Sequence, residues 1–339
     1  MNRKTFVIAE AGANHNRDLN VAKRLIYSAA SAGAHAVKFQ SYTSSRLYSS
    51  NTPDFGIYKN IPDLISSIEL PVQWHSELKK ISEDCGLEFI STPFDEESVD
   101  LLFNLGVKRL KIAAFEARDT RLLKKVAQTK LPVIFSAGIG TGIREVSEII
   151  DFLESEGSGE ITILHCNSSY PTPFKDINLG QIIDLNNQFG YKCKIGLSDH
   201  TEGILIPPIA VTHGASVIEK HFTISKKMDG PDHPFAIEPH ELFEMCRNIE
   251  YAEISMGKKE STYTDSEKNN EMFFALRSVV AKTNIRKGEK LTPENITTKR
   301  PYVGGNIPAE KYDKIISGNY YAVEELQIDT MIKESQIIS

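Results

Sequence analysis

Two histidines and two lysines stand where this sequence could do chemistry. His200 and His221 end successive short apolar runs, IGLSDH and VIEKH. Neutral imidazole suits a borderline divalent ion, and two ligands on neighbouring strands leave coordination positions for substrate and water. Two hydrogen-bonded core histidines fit the same pattern, and spacing alone does not choose between these readings. Lys38 and Lys111 fall inside otherwise apolar runs, AVKFQ and RLKIA. A buried lysine needs a partner. A phosphate would supply one, with the hydroxyls of Thr92 and Ser136 completing an oxyanion cradle. An internal ion pair with Glu10 or Glu116 would serve as well.

The elements that must position these side chains are legible as alternation. From residue 6 to about 256, apolar runs (FVIAEAG, HAVKFQSY, EFISTPF, RLKIAAF, PVIFSAG, ITILHCN, CKIGLSDH, SVIEKHF) alternate with stretches of helical spacing such as LNVAKRLIYSAASAG and SEIIDFLESEG. Runs apolar at consecutive positions suit a parallel sheet covered by helices. Eight such βα units predict an α/β fold, a TIM (β/α)8 barrel, whose reactive residues sit at the C-terminal ends of the strands. In chain order the polar residues there are Glu10, Asn14 and His15; Lys38 and Gln40; Ser91 and Thr92; Lys111 and Glu116; Ser136; Asn167, Ser168 and Tyr170; Ser198, Asp199 and His200; and Glu219, Lys220 and His221. The stretch 43–67 reads as one long active-site loop.

A barrel over 1–257, a polar linker over 258–277 and a small domain over 278–339 account for the change of composition near residue 257. A domain below roughly 70–80 residues has a marginal core, so this one is expected to lean on the barrel or on a second subunit. The formal net charge of -6 argues against nucleic acid as a partner. Cys85, Cys166, Cys193 and Cys246 form no CxxC pair, which fits a reducing cytoplasm better than a disulfide framework. The opening apolar run, soon interrupted by Glu10, is too short for a signal peptide, and no segment approaches the roughly 20 apolar residues of a membrane span. GIGTGIRE lacks the Lys-Ser/Thr ending of a P-loop and reads as a tight turn. Cys166 reads as an inert buried thiol, and Trp74-His75 as packing at a helix start.

The motifs IAEAGANHN (8–16), AVKFQSYT (36–43), FISTPF (89–94), LKIAAFE (110–116), LHCNSSYPTP (164–173), IGLSDHT (195–201), VIEKHFT (217–223) and GPDH (230–233) together resemble the bacterial nonulosonate synthases. These are the synthases of N-acetylneuraminic (sialic), legionaminic and pseudaminic acids. The segment RSVVAKTNIRKGEKLTPENITTKRP resembles their C-terminal antifreeze-protein-like (SAF) domain.

The resemblance implies a metal-dependent transferase that condenses phosphoenolpyruvate with N-acetylmannosamine or a related 2-acetamido sugar. A diacetamido-trideoxyhexose, as in the pseudaminic and legionaminic branches, is the alternative substrate, and a non-catalytic carbohydrate-binding homologue a more distant one. It implies that His200 and His221 bind Mn2+, with Mg2+ or Co2+ as substitutes. It assigns the phosphate to Lys38, Thr92, Lys111 and Ser136, and the sugar to Gln40, Tyr170 and Asp232. Glu10 and Glu116 become the candidates for proton transfer and for stabilising a cationic centre, with their roles exchangeable. A domain-swapped homodimer is implied, with Arg300 contacting the substrate's N-acetyl group. The chain departs from the family pattern at Ala114, where a phosphate-contacting serine is usual, and at substrate-site Ser168, where asparagine is usual.

Overall fold

Every second residue along the predicted strands is apolar toward a helix layer, and the computed structural model, which describes residues 5–54, 59–257, 265–268 and 274–339, shows what that alternation builds. The chain divides into two units, residues 1–257 and 258–339. The first contains eight parallel strands: β1 (Phe6–Gly12), β2 (Ala36–Ser41), β3 (Glu88–Pro93), β4 (Leu110–Ile112), β5 (Val133–Ala137), β6 (Ile161–Cys166), β7 (Lys194–Asp199) and β8 (Val217–His221). They are hydrogen-bonded in the order β3-β2-β1-β8-β7-β6-β5-β4. The two ends of that order, β3 and β4, lie against each other, so the sheet curls into the expected barrel.

Among the described residues ten helices accompany the strands: α1 (Leu19–Ser31), α2 (Ser44–Leu47), α3 (Ile61–Ser67), α4 (His75–Asp84), α5 (Glu96–Leu105), α6 (Thr120–Gln128), α7 (Ile143–Ser155), α8 (Gly180–Phe189), α9 (Ile206–Thr212) and α10 (Pro239–Ser255). Aspartates end several of the loops that enter them. Asp18 accepts from Asn20 N at the start of α1, Asp95 from Ser98 N at α5 and Asp119 from Arg121 N at α6. Each satisfies a backbone donor that the first helical turn leaves unpaired.

The two faces of the sheet bury different things. Val7, Val37, Phe39, Val133, Phe135, Ile163, Leu197 and Ile218 point outward and pack with Leu25, Ile26, Leu78, Leu102, Val126, Ile150, Ile182 and Ile249 of the helices. Ile8, Ala36, Ile90, Ile134, Leu164 and Val217 point inward and form a separate apolar plug inside the barrel. One step of two residues further along most of the strands, the inward positions become polar, and the site begins there. The plug is tight: a Cβ added to Gly196 would lie 2.2 Å from Val217 O and 2.7 Å from Leu164 Cδ2.

The stretch 43–67 differs from the open loop expected. It folds into α2 and α3, closed by a bond from Ser44 Oγ to Pro62 O at 2.6 Å and by one from Ser44 N to the Glu69 carboxylate; residues 55–58 lie outside the described ones. Of the expected linker, 258–264 and 269–273 also lie outside the described residues, and α11 (Asp265–Lys268) is a single helical turn.

The second unit contains β9 (Ser278–Ala281) antiparallel to β10 (Ile296–Lys299), α12 (Tyr312–Ser317), and β11 (Tyr321–Ala322) antiparallel to β12 (Ile337–Ile338). Val279, Ala281, Ile285, Leu291, Ile296, Ile307, Ile315, Ala322, Leu326 and Ile332 give it an apolar core of its own. No helix among the described residues is long and apolar enough to cross a membrane.

Because Gly196 has no room for a methyl group, Gly196→Ala is expected to lower the stability of the protein by about 2 kcal/mol. Denaturant unfolding of the two proteins measures this; equal midpoints would show that the plug yields.

Candidate active site

Strand register carries the polar layer. Glu10 is paired with Lys38 across β1 and β2 and with His221 across β1 and β8; Gln40 faces Thr92, and Ser198 faces Glu219. Period-two alternation therefore sends Glu10, Lys38, Thr92, Lys111, Ser136, Ser198 and Glu219 into the barrel directly above the plug.

There the charges meet. Lys38 Nζ lies 2.9 Å from Glu10 Oε2, 3.7 Å from Glu219 Oε1 and 3.1 Å from Thr92 Oγ1. Lys111 Nζ lies 3.6 Å from the same Glu219 oxygen and donates to Ser136 Oγ at 2.9 Å. Ser198 Oγ donates to Glu219 Oε1 at 3.2 Å, and Gln40 Nε2 to Glu10 Oε1 at 3.0 Å. All four charged residues are buried.

Their protonation follows from burial set against neighbours. Burial would lower Lys38, but Glu10 and Glu219 outweigh it and raise it above the ordinary lysine value. Burial does lower Lys111, with Glu219 only partly opposing it. Burial pushes toward a protonated Glu219, yet Lys111 and Lys38 together hold it below the usual carboxylate range. Glu10 is driven by burial to about 7, with Lys38 opposing. The layer thus holds a firm cation at Lys38, a lysine weakened by burial at Lys111, a firm anion at Glu219 and, at Glu10, a carboxyl able to exchange a proton near neutral pH. The sequence alternatives for the lysines, phosphate cradle or ion pair, are both present in part: each lysine has its hydroxyl, and each has a carboxylate. Glu116 is not the partner of Lys38.

Glu219 is the residue that motif reading passed over as a mere strand end. It bridges two lysines from strands that are not neighbours. The signal was its inward parity with His221 in VIEKH.

His200 and His221 sit one level higher, with ring centres 5.5 Å apart. Tyr170 lies against His200 at 4.1 Å between ring centres, and Phe235 lies 5.4 Å from Tyr170 and 5.3 Å from His221. Burial holds both imidazoles neutral, His221 well below the ordinary value. His200 Nδ1 is 2.7 Å from Asn167 O; a carbonyl only accepts, so Nδ1 carries the proton and Nε2 keeps its lone pair. His221 Nδ1 is buried without a hydrogen-bond partner. Its nearest acid is Asp232, whose Oδ2 is 3.9 Å away and whose carboxyl burial raises to about 6. Two neutral imidazoles with a free nitrogen each fit a divalent ion. Among the described residues no group of three or more His, Cys, Asp or Glu could hold one, so such an ion would need other ligands to complete its shell.

The remaining assignments divide. Asp232 belongs to the same corner as Gln40 and Glu10, since a Cβ on Gly12 would lie 3.3 Å from Asp232 Oδ2, 3.4 Å from Glu10 Oε1 and 3.5 Å from Gln40 Nε2. Ser168 and Ala114 crowd Gly138, where an added Cβ would lie 2.8 Å from Ser168 Oγ and 3.0 Å from Ala114 Cβ. Cys166 Sγ is 3.9 Å from both Ser168 Oγ and His200 Nδ1, and burial pushes its thiol up, away from the reactive thiolate. A cavity of about 680 Å3 opens beside Ser168, lined by the GIGTG turn together with Asn167, Asn178 and Gln181. Glu116, in the turn after β4, feels the Lys111 charge and is raised by burial to about 7.

Several of the strand-end residues turn away. Ser91 bonds Ser41 on the outer face, Ser41 bonds His75 at 2.7 Å, and His15 packs beside Phe39 and Trp74. Asn14 donates to Phe222 O. Arg300 follows β10 in the second unit, where its side chain is exposed.

Residues 25–261 match the model of the NeuB family, and 277–338 match that of the SAF domain. The chain belongs to the NeuB family. Among NeuB-family relatives, the N,N'-diacetyllegionaminic acid synthase of Campylobacter jejuni is 40% identical over 341 residues, covering 98% of this chain and 100% of that protein. The pseudaminic acid synthase of Helicobacter pylori is 36% identical over 326 residues, covering 92% and 95%. The crystal structure of the N-acetylneuraminic acid synthetase of Leptospira borgpetersenii matches with a TM-score of 0.71 at 36% identity, covering 78% of this chain and 89% of that one. The resemblance to the nonulosonate synthases read from the motifs is borne out, as are the barrel and the SAF domain.

The raised Glu116 carries a stability signature. Its folded value of about 7 exceeds an ordinary 4.5, so the folded state binds more protons between those limits. Its stabilising contribution is complete below the unfolded value and is lost as pH rises through the folded one. Glu116→Gln is therefore expected to melt with the parent at pH 4.5 and above it at pH 8. Equal melting at both pH values would contradict the buried, proton-holding Glu116.

Proposed function

We propose that this NeuB-family chain condenses phosphoenolpyruvate with an N-acetylated amino sugar and water, giving a nine-carbon 2-keto acid and phosphate. The observation that carries the reading is the lysine pair: Lys38 and Lys111 are buried, each beside a hydroxyl, and both converge on one oxygen of Glu219. An anion with several oxygens satisfies such donors where a single carboxylate oxygen, 3.6 and 3.7 Å away, does so only partly.

In this reading the phosphate lies against Lys38, Thr92, Lys111 and Ser136. The sugar lies toward Gln40, Tyr170 and Asp232, with Ser168 between the two. C3 of phosphoenolpyruvate forms a bond to the aldehyde carbon of the open-chain sugar, and C2 becomes electron-poor. Water adds at C2, and the C2–O bond to phosphate breaks with its electron pair leaving on phosphate. Glu10, whose carboxyl exchanges a proton near pH 7, takes the proton of the water or delivers one to the new sugar hydroxyl. Glu116 faces the cationic carbon or shares that transfer. A divalent ion held by His200 and His221, Mn2+ or else Mg2+ or Co2+, would polarise the aldehyde as a Lewis acid.

The sugar we propose is a 2,4-diacetamido-trideoxyhexose rather than N-acetylmannosamine. The names of the Campylobacter and Helicobacter relatives, a diacetyllegionaminic and a pseudaminic acid synthase, support this. Phosphate release from phosphoenolpyruvate with Mn2+ and each sugar in turn tests it. Release with a diacetamido sugar, abolished by a chelator and by His221→Ala, is expected. Release with N-acetylmannosamine alone would move the substrate to the sialic acid branch, and release with none would leave a binding protein.

Lys111→Met is expected to raise the Michaelis constant for phosphoenolpyruvate at least about thirtyfold, the equivalent of a lost buried charged contact, with little change in that for the sugar. Arg300→Ala is expected to do the reverse. Equal shifts of both constants in either variant would remove that residue from its role.

A further inference from the structure

Lys220 and Asp199 are paired on the outer side of the barrel wall, where neither touches the polar layer. They face one another in register across β7 and β8, and strand alternation turns them toward the helices while Glu219 and His221 face inward. Their side chains are 1% and 0% exposed, and Lys220 Nζ lies 2.7 Å from Asp199 Oδ2. An ion pair removed so completely from water is weak as a source of stability, and its bonds show another use.

Every remaining bond of the pair goes to the residue after His200. Asp199 Oδ1 accepts from Thr201 N at 2.9 Å, Asp199 Oδ2 accepts from Thr201 Oγ1 at 3.1 Å, and Lys220 Nζ donates to Thr201 O. The polar groups of Thr201 are thus held from both sides. His200 O itself accepts from Thr172 N at 2.9 Å, and Thr172 and Thr201 form a parallel bridge. His200 is the residue between these anchors. Its ring is aimed chiefly by Nδ1–H to Asn167 O at 2.7 Å, and a backbone shift of about one ångström at residue 200 would stretch that bond past good geometry. Asn167 lies in the same loop as Thr172, so the two loops are locked together at the point where both histidine and tyrosine enter the site.

We propose that the buried Lys220–Asp199 pair is a positioning device for His200: it fixes the turn 199–201 so that the His200 ring keeps its Nδ1–H tautomer and presents Nε2 to the site. In the sense that Nε2 serves a divalent ion, the proposal rests on the functional reading above; the ring's tautomer and orientation do not depend on it.

The informative variant removes both charges together, since removing one strands the other in the wall. Asp199→Leu with Lys220→Met keeps an apolar wall of similar volume. Two readouts separate positioning from general damage. In metal-free protein with 15N-labelled histidine, the Nδ1–H signature of His200, identified by its loss in His200→Gln, is expected to disappear. By calorimetry, the dissociation constant for Mn2+ is expected to rise on the order of tenfold or more, the range seen when groups behind a ligand are lost, while that for phosphoenolpyruvate stays within about twofold. Retention of the His200 signature with unchanged Mn2+ affinity overturns the proposal, as does an equal weakening of both ligands. If the parent protein binds no Mn2+, the metal reading falls, and the His200 signature alone decides the positioning role. Should the double variant fail to fold, Asp199→Asn replaces it. Asparagine keeps the bond to Thr201 N but leaves Lys220 without its anion, so a smaller shift of the same signature is expected, and none at all overturns the proposal.

Discussion

Two lysines and two glutamates occupy one water-poor layer of this barrel, and their mutual neutralisation is the condition on which the site depends. Removing a single ion of this kind from water costs several kcal/mol even after relaxation. Burial pushes Lys111 toward its neutral form, and Glu219 opposes that push. The arrangement limits this by placing Glu219 between Lys38 and Lys111 and by letting Glu10 share Lys38. The result is a set of donors held at full readiness but imperfectly satisfied. That is the state in which an incoming anion gains most, because it completes the contacts to Lys38 and Lys111 that Glu219 makes only at 3.7 and 3.6 Å.

The same two-residue alternation that creates the charged layer also isolates it. Beneath it, Ile8, Ile90, Ile134 and Leu164 close the barrel, so the lysines have nowhere to reach but toward the open end. Above it, the His200 and His221 rings with Tyr170 and Phe235 form a wall that is aromatic on one side and carries free imidazole nitrogens on the other. Under the proposed function this vertical order would place the phosphate at depth and the sugar's carbonyl over it. Ala114, where the resemblance implies a serine, offers no hydroxyl at this rim. Gly138 and Ser168 close in on the space, and Ser136 remains bound to Lys111.

Much of this was legible in the residues, for physical reasons that differ from place to place. The strands stood out because a sheet covered by helices needs continuous apolar runs, and lysines inside AVKFQ and RLKIA were conspicuous for the same reason. Thr92 and Ser136 were legible from the strand pattern, whereas Asp232 and the sugar role of Gln40 came from the resemblance; all four lie at or beside the polar layer by register and contact. Glu219 escaped notice because its importance lies in two partners on β2 and β4, a relation that no local spacing encodes. Parity within a strand would have removed Ser91 from the candidates, since Thr92 beside it faces inward. The stretch 43–67 read as an open loop because its helices are short; Ser44 and Glu69 close it through side-chain bonds that leave no periodic trace.

The central claim is that phosphate enters the layer now held together by Glu10 and Glu219, and proton counting tests it most directly. A phosphate beside Lys38 competes with Glu10 for that charge and repels its carboxylate, so Glu10, already near 7 in the free protein, is driven further up and takes a proton from solution. Calorimetric titration of phosphoenolpyruvate at pH 8, in two buffers of different ionisation enthalpy, measures that uptake. The account predicts net proton uptake by the parent protein and a smaller uptake by Glu10→Gln. Tight binding with the same proton count in both would contradict it, because the anion would then be settling somewhere other than among these lysines.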